Sequence, residues 1–469
     1  MMRYRQDSKK ENTMEKNTIA AIATSPGVGG IGIIRISGEE AFLVVSKIFR
    51  PKDAFFDVSN PLPNVIKYGH IFDGKEKIDE VMVSFFKAPH SYTKENIVEI
   101  NCHGGTVIMQ RILEIVIKNG ARMAEPGEFT KRAFLNGRID LTQAEAIIDI
   151  ITSKTDKARK ISLTQLEGFL SEKINNVQTK LYDVLIQIDA GIDYPEHEIE
   201  DVTRETIFNV LTKSKEELER LCNSFEEGRV LKEGVRTAIL GKPNVGKSSL
   251  MNVLLREERA IVTDIPGTTR DTIEEFVNIR GIPLRIIDTA GIRKTDDRIE
   301  EIGVEKAKKE IEDADMIIAV FDVSRDLTEE DFEIIDLIKN KKAIIIVNKI
   351  DLKTKWDVKN IFKDKRVLDI STKTKIGIED LENEIEKLWK SNNMSTTEDV
   401  IVSNMRHKEL LLNALKEIDS AFKALNDDLP VDMIAINIQS ILENLGTITG
   451  QNVSEETING IFSRFCLGK

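Results

Sequence analysis

Gly241-Lys-Pro-Asn-Val-Gly246-Lys247-Ser248 has the spacing G-x-x-x-x-G-K-[ST]; it follows the apolar run Val235 to Leu240 and precedes a helical run. This arrangement suits phosphate. Its glycines let backbone N–H groups close around the β- and γ-phosphates, a helix N-terminus adds its positive end, Lys247 adds charge and the Ser248 hydroxyl is placed for Mg²⁺. Asp288-Thr289-Ala290-Gly291 and Asn348-Lys349-Ile350-Asp351 each end a further apolar run, at the carboxyl edge where α/β sheets bind ligands. The Asp351 carboxylate can accept from N1–H and the 2-amino group of guanine. Adenine offers neither donor, and such a mismatch discriminates by about 10⁴ to 10⁵. Asp288 is placed to hold Mg²⁺ through water, and Ser371-Thr372-Lys373 reads as a second clamp on guanine. Together the motifs imply binding and hydrolysis of GTP.

The hydrolytic group is less plain. Where Ras-like GTPases have a water-orienting glutamine directly after this glycine, the chain has Ile292. Either hydrolysis is very slow, or a polar residue in Arg293 to Glu300 substitutes, or a partner supplies the group.

These motifs need a parallel sheet. Between about Gly234 and Trp389, the runs Val235 to Leu240, Leu284 to Ile287, Met316 to Phe321, Ala343 to Val347 and Val367 to Ile370 alternate with helical patterns, as buried parallel strands do. From Thr18 to about Gly120, the short runs Ile31 to Ile36, Val81 to Phe86 and Ile97 to Ile100, with one helical stretch from Val107 to Ile117, predict an α+β domain. A capping box of Thr142 with Glu145 then opens a helical region, and Leu163, Leu166, Leu170, Ile174, Val177, Leu181, Val184 and Ile188 predict one long amphipathic helix. Helical periodicity returns after the polar stretch Ser391 to Asp399 and stops at Gly446. The expected fold is therefore multidomain: an α+β N-terminal domain over 14–137, an all-α helical domain discontinuous over 138–232 and 392–469, and an inserted α/β P-loop G domain over 233–391. Met14 is a plausible alternative start.

The 469 residues fit about three domains. With 41% hydrophobic and 31% charged residues the composition is globular, and disorder and fibres are disfavoured. A net charge of −12 argues against non-specific coating of nucleic acid, so any RNA contact is local. The three cysteines, Cys102, Cys222 and Cys466, show no metal-ligand spacing; with no membrane-span-length apolar run and no signal peptide, a cytoplasmic location is expected and no membrane partner.

Asn244 inside the phosphate loop, Thr263-Asp-Ile-Pro-Gly-Thr-Thr-Arg-Asp271 and the terminal Cys466-Leu-Gly-Lys469 resemble tRNA-modification GTPases of the TrmE (MnmE) family. Ser25 to Gly38, Val98 to Gly105 and Glu125 to Arg138 support the resemblance, which runs from about Met14 to Lys469. It implies a homodimer through the first domain, and joint action with the FAD-dependent MnmG (GidA) protein to place an aminomethyl-type group, carboxymethylaminomethyl, at C5 of the wobble uridine of certain tRNAs.

The resemblance also assigns residues. GTP contacts fall to Asn244, Val245, Gly246, Lys247, Ser248 and Ser249; to Thr263, Asp264, Ile265, Pro266, Gly267, Thr268 and Thr269; to Asp288, Thr289, Ala290 and Gly291; and to Asn348, Lys349, Ile350 and Asp351. Mg²⁺ goes to Ser248 and Thr269, and K⁺ to Asn244, Thr263, Ile265 and Thr268. Glu300 aligns with the acidic residue that orients the attacking water. A 5-formyl-tetrahydrofolate site maps onto Arg35, Glu99 and Arg138, with Lys469 reaching in; Arg138 stands where relatives often have lysine, keeping the charge with a different donor geometry. Blander readings exist: Arg35 as a surface cation, Glu99 as a solvent-facing strand residue, His103 as a turn residue, and Cys466 as a packing residue rather than a reactive thiol. The competing functional class is a ribosome-assembly GTPase switch of the Era or EngA kind, with no modification chemistry; a KH domain or a second G domain would mark it.

Overall fold

The computed structural model describes residues 18–25, 27–193, 204–257, 274–287, 312–356, 361–362, 366–389 and 400–469. The chain forms two compact units, one of 1–148 with 442–469 and one of 149–441.

The first unit is built on a seven-stranded sheet: β1 (Ile19–Ile22), β2 (Ile31–Ser37), β3 (Phe49–Pro51), β4 (Val65–Asp73), β5 (Glu76–Phe86), β6 (Ile97–His103) and β7 (Arg122–Met123), ordered β3-β4-β5-β6-β2-β1-β7. Neighbours are antiparallel except for β1 with β7. In β2, Ile34 and Ile36 are fully buried while Arg35 between them is not. That period of two divides the strand: the isoleucines join Ile100 and helix Thr106–Lys118 in the core, and Arg35 takes the other face. The helix buries Met109, Ile112, Leu113 and Val116, one stripe at helical spacing, and each such side chain contributes roughly 2 kcal/mol of burial. A second cluster ties Ala133, Ile139 and Leu141 to Ile458, Phe462 and Phe465 near the C-terminus. There Gly127 sits at φ +70°, where a Cβ would lie 2.5 Å from the Phe462 carbonyl oxygen.

The second unit holds a six-stranded sheet: β8 (Val235–Leu240), β9 (Glu274–Ile279), β10 (Ile282–Ile287), β11 (Met316–Asp322), β12 (Ala343–Asn348) and β13 (Val367–Ile370), ordered β13-β12-β11-β8-β10-β9. All pairs are parallel except β9 with β10. Every residue of β11 is buried, as expected of a parallel strand covered on both faces. Parallel pairing brings the residues that follow β8, β11, β12 and β13 to one edge. Helices from before and after this sheet pack on one another: the Phe208 and Phe422 rings lie 5.1 Å apart and Lys215 pairs with Asp419 at 2.6 Å.

Three local expectations are corrected. The expected long helix is two, Asp156–Leu166 and Phe169–Asp193, because Gly168 takes φ +92°. At the start of helix Leu141–Thr152 the reciprocal cap is Asp140 with Gln143: the Gln143 N–H donates to Asp140 Oδ1 at 2.9 Å and the Asp140 N–H to Gln143 Oε1 at 3.0 Å. Thr142 lies inside that helix. Helix Val431–Thr449 runs through Gly446 and ends where Gly450 takes φ +95°.

Candidate functional site

The phosphate loop leaves β8 at Gly241 and enters helix Lys247–Glu257. Gly246 takes φ +110°, and a Cβ there would run into the Asn348 amide nitrogen; no other residue fits that bend. Asn244 also has positive φ, +65°. The Lys247 ammonium donates to the Gly241 carbonyl at 2.6 Å and the Lys242 carbonyl at 2.8 Å, which holds it over the loop. Ser248 and Ser249 are exposed at the start of the helix, whereas Val245 is buried in the core.

Asn348, fully buried at the end of β12, ties three loops together. Its amide donates to the Val245 carbonyl at 2.8 Å, and its Oδ1 accepts from the Thr372 N–H at 3.1 Å. Lys349 takes φ +68° and donates to the Asn244 carbonyl at 2.7 Å and to Asp322 Oδ2 at 2.6 Å. Ile350 is half-buried; Asp351 is exposed and accepts from the Ser371 hydroxyl at 2.8 Å. That bond fixes one carboxylate oxygen. Ser371 is buried and also receives the Thr374 N–H at 3.2 Å, while Lys373 is exposed. The structure thus brings together Asn244 to Ser249, Asn348 to Asp351 and Ser371 to Lys373. Thr263 to Thr269, Asp288 to Gly291 and Glu300 lie outside the described residues.

In the first unit, register places Arg35 on β2 opposite Glu99 on β6. Arg35 Nη2 and Nε both reach Glu99 Oε1 at 2.8 Å, and Arg35 Nη1 donates to the Gly468 carbonyl at 3.1 Å. The terminal turn is closed by the Lys469 N–H donating to the Cys466 carbonyl at 3.3 Å. Tyr92 stands between two cations, with the Arg35 guanidinium carbon 5.7 Å and the Arg138 carbon 4.7 Å from its ring centre. The Tyr92 hydroxyl pairs with Thr130 at 2.9 Å. Beside it runs a partly buried charge network: Arg132 reaches Glu95 at 3.0 Å and Glu128 at 2.9 Å, Arg122 joins Glu128, and the Ser37 hydroxyl donates to Glu95 at 2.7 Å. Burial pushes the Glu128 carboxyl up, but Arg122, the Glu125 N–H and Arg132 outweigh it and hold the carboxyl below the usual glutamate range. His103 ends β6 with Nδ1 2.7 Å from Asp79. Cys466 is exposed; Cys102 is buried, which pushes its thiol up to about 11 and leaves it unreactive at neutral pH.

Two residues of these sites gave no sequence signal. Asp322 follows an uninterrupted apolar strand, a placement that suggested only a strand end, and Tyr92 meets Arg35 and Arg138 only through folding. Among the described residues no group of three or more His, Cys, Asp or Glu could hold a metal, and no helix is long and apolar enough to cross a membrane.

A mostly parallel α/β sheet with a phosphate loop after one strand and an Asn-Lys-x-Asp motif after another defines a P-loop GTPase. A profile described as GTP-binding protein TrmE N-terminus matches residues 18–138, and one described as MnmE helical domain matches 141–466. The tRNA modification GTPase MnmE of Thermoanaerobacter pseudethanolicus is 51% identical over 97% of this chain and 99% of its own length. Those of Alkaliphilus oremlandii and Clostridioides difficile are 49% and 47% identical, each over 97% of this chain and 99% of their own. The chain belongs to the MnmE family of tRNA modification GTPases.

Proposed function

We propose that this GTPase couples hydrolysis of GTP to modification of the wobble uridine of certain tRNAs, working as a homodimer with the FAD-dependent MnmG protein to add an aminomethyl-type group at C5. The domains are the folate-binding and dimerising 14–137, the helical 138–232 with 392–469, and the G domain 233–391. The observation that carries the reading is the closure of the C-terminal turn onto the Arg35–Glu99 pair through the Gly468 carbonyl, which joins a charged site in the first unit to the tail that the family resemblance singled out.

The residues there fit a reduced folate. Arg35, Arg138 and Lys469 supply cations for the glutamyl carboxylates, and Glu99 supplies an acceptor for pterin N–H groups. When bound, 5-formyl-tetrahydrofolate would supply the one-carbon unit; this chain's part would be to hold and orient it. In the G domain, Ser248 and Thr269 would hold Mg²⁺, and Asn244 with Thr263, Ile265 and Thr268 would hold a K⁺ that offsets the negative charge of the transition state. Glu300 orients the attacking water in place of the glutamine that Ile292 displaces. The described residues after 400 form three helices and no strand, which gives no support to a KH-bearing ribosome-assembly switch.

Three measurements test the GTPase side of this reading. GTP turnover is expected to be much faster in KCl than in NaCl at equal ionic strength, and the G domain to dimerise with GDP and aluminium fluoride only in K⁺; equal rates and a monomer would overturn the potassium mechanism. Glu300→Ala should lower turnover with GTP affinity nearly unaltered, because the loss is confined to the transition state.

A further inference from the structure

Asp322 ends β11, the sheet's most enclosed strand, and 6% of it is exposed. Its Oδ1 accepts from the Ser324 N–H at 2.9 Å and the Ser324 hydroxyl at 2.6 Å, and its Oδ2 takes the Lys349 ammonium at 2.6 Å. Its backbone carbonyl accepts the Trp356 indole N–H at 3.2 Å. The carboxylate cannot swing away, since both oxygens are committed. Burial pushes it up, yet Lys349 and Ser324 outweigh that and hold it below the usual aspartate range, so it is ionised at neutral pH.

Lys349 is the residue this carboxylate controls. The ammonium is pinned twice, on Asp322 and on the Asn244 carbonyl, while the Lys349 backbone is turned to positive φ beside buried Asn348. A lysine fixed at both ends stretches its four-carbon stem between the phosphate loop and the loop bearing Asp351. A purine whose edge is read by Asp351 needs an apolar strip beside its ring, and this stem provides one. An untethered lysine side chain carries rotamer entropy that binding would have to remove; the Asp322 pair removes it in advance.

We propose that Asp322 is a positioning residue for nucleotide binding: through its ion pair it pre-orders Lys349 as a wall of the base pocket. It touches the lysine, not the base, so its contribution is the same for any purine that enters, whereas that of Asp351 depends on the guanine edge.

Titration of the full-length protein with fluorescent mant-GDP and mant-IDP tests this. Asp322→Asn is expected to raise Kd about tenfold for both ligands, with the number of sites per chain unchanged. KM for GTP should rise by a similar factor while kcat at saturating GTP changes less than twofold. Lys349→Met should weaken binding at least as much, and the double variant should be no weaker than Lys349→Met alone, because both remove one interaction. Unchanged Kd in Asp322→Asn, a reduced number of sites with Kd retained, or additive losses in the double variant would each overturn the proposal.

Discussion

Arg35 and Gly468 stand 433 positions apart in the chain and are joined by a 3.1 Å hydrogen bond from Nη1 to the carbonyl. Gly468 reaches that position with φ +89° packed against β1, where a Cβ would collide with the Ile22 carbonyl oxygen. The terminal turn therefore has one seat, and glycine is the residue that fits it.

Gly468→Val should dislodge the turn from Arg35. Binding of 5-formyl-tetrahydrofolate, measured by calorimetry, is expected to weaken at least tenfold, as it should in Arg35→Ala, while GTP turnover stays near wild type. Undiminished binding in Arg35→Ala would remove the folate from this site; loss in Arg35→Ala alone would leave the site and dismiss the tail.

Asp351→Asn should exchange guanine for xanthine preference, since the 2-carbonyl of xanthine needs a donor. Two charge-assisted hydrogen bonds at about 1.5–3 kcal/mol each are at stake, so GTP should weaken roughly a hundredfold or more while xanthosine triphosphate gains. Competition binding with both nucleotides checks this; an unchanged ranking would take Asp351 off the base.

The strands around that site were legible because parallel strands are unbroken apolar runs, and Val235–Leu240 and Val367–Ile370 fall where the runs do. The Asn348 to Asp351 motif was legible because it follows such a run directly. What lay beyond the sequence was decided at a distance or by one backbone angle. The lysine that Asp322 serves lies 27 residues on. Arg35 and Glu99 were brought together only by the family resemblance; nothing in the spacing showed the β2–β6 register that sets them opposite each other. The amphipathic stripe through Leu163 to Ile188 continues across Gly168, so periodicity could not show that a positive φ breaks the helix there; Leu163, counted in the stripe, is 39% exposed.

The Glu128 network gives the first unit a pH dependence of fixed sign. A carboxyl held below its ordinary value of about 4.5 contributes its full stabilisation above that value and loses it as the pH falls through the lower, folded value. Glu128→Gln leaves Arg132 buried without that charge and should cost about 3 kcal/mol at neutral pH. Thermal melts from pH 7 to pH 3 should show the wild-type advantage shrinking below about pH 4.5; an advantage that is constant or grows in acid would contradict the geometry.

The central claim is that GTP hydrolysis here serves the chemistry of a tRNA base. Mass spectrometry of nucleosides from the tRNA of cells lacking this protein tests it most directly. Wobble uridines are predicted to lose their C5 aminomethyl-type substituent, to regain it with the intact gene, and to remain bare with the Glu300→Ala form. Wobble uridines that keep their full modification in the deleted cells would contradict the account, leaving a GTPase whose output is something other than tRNA modification.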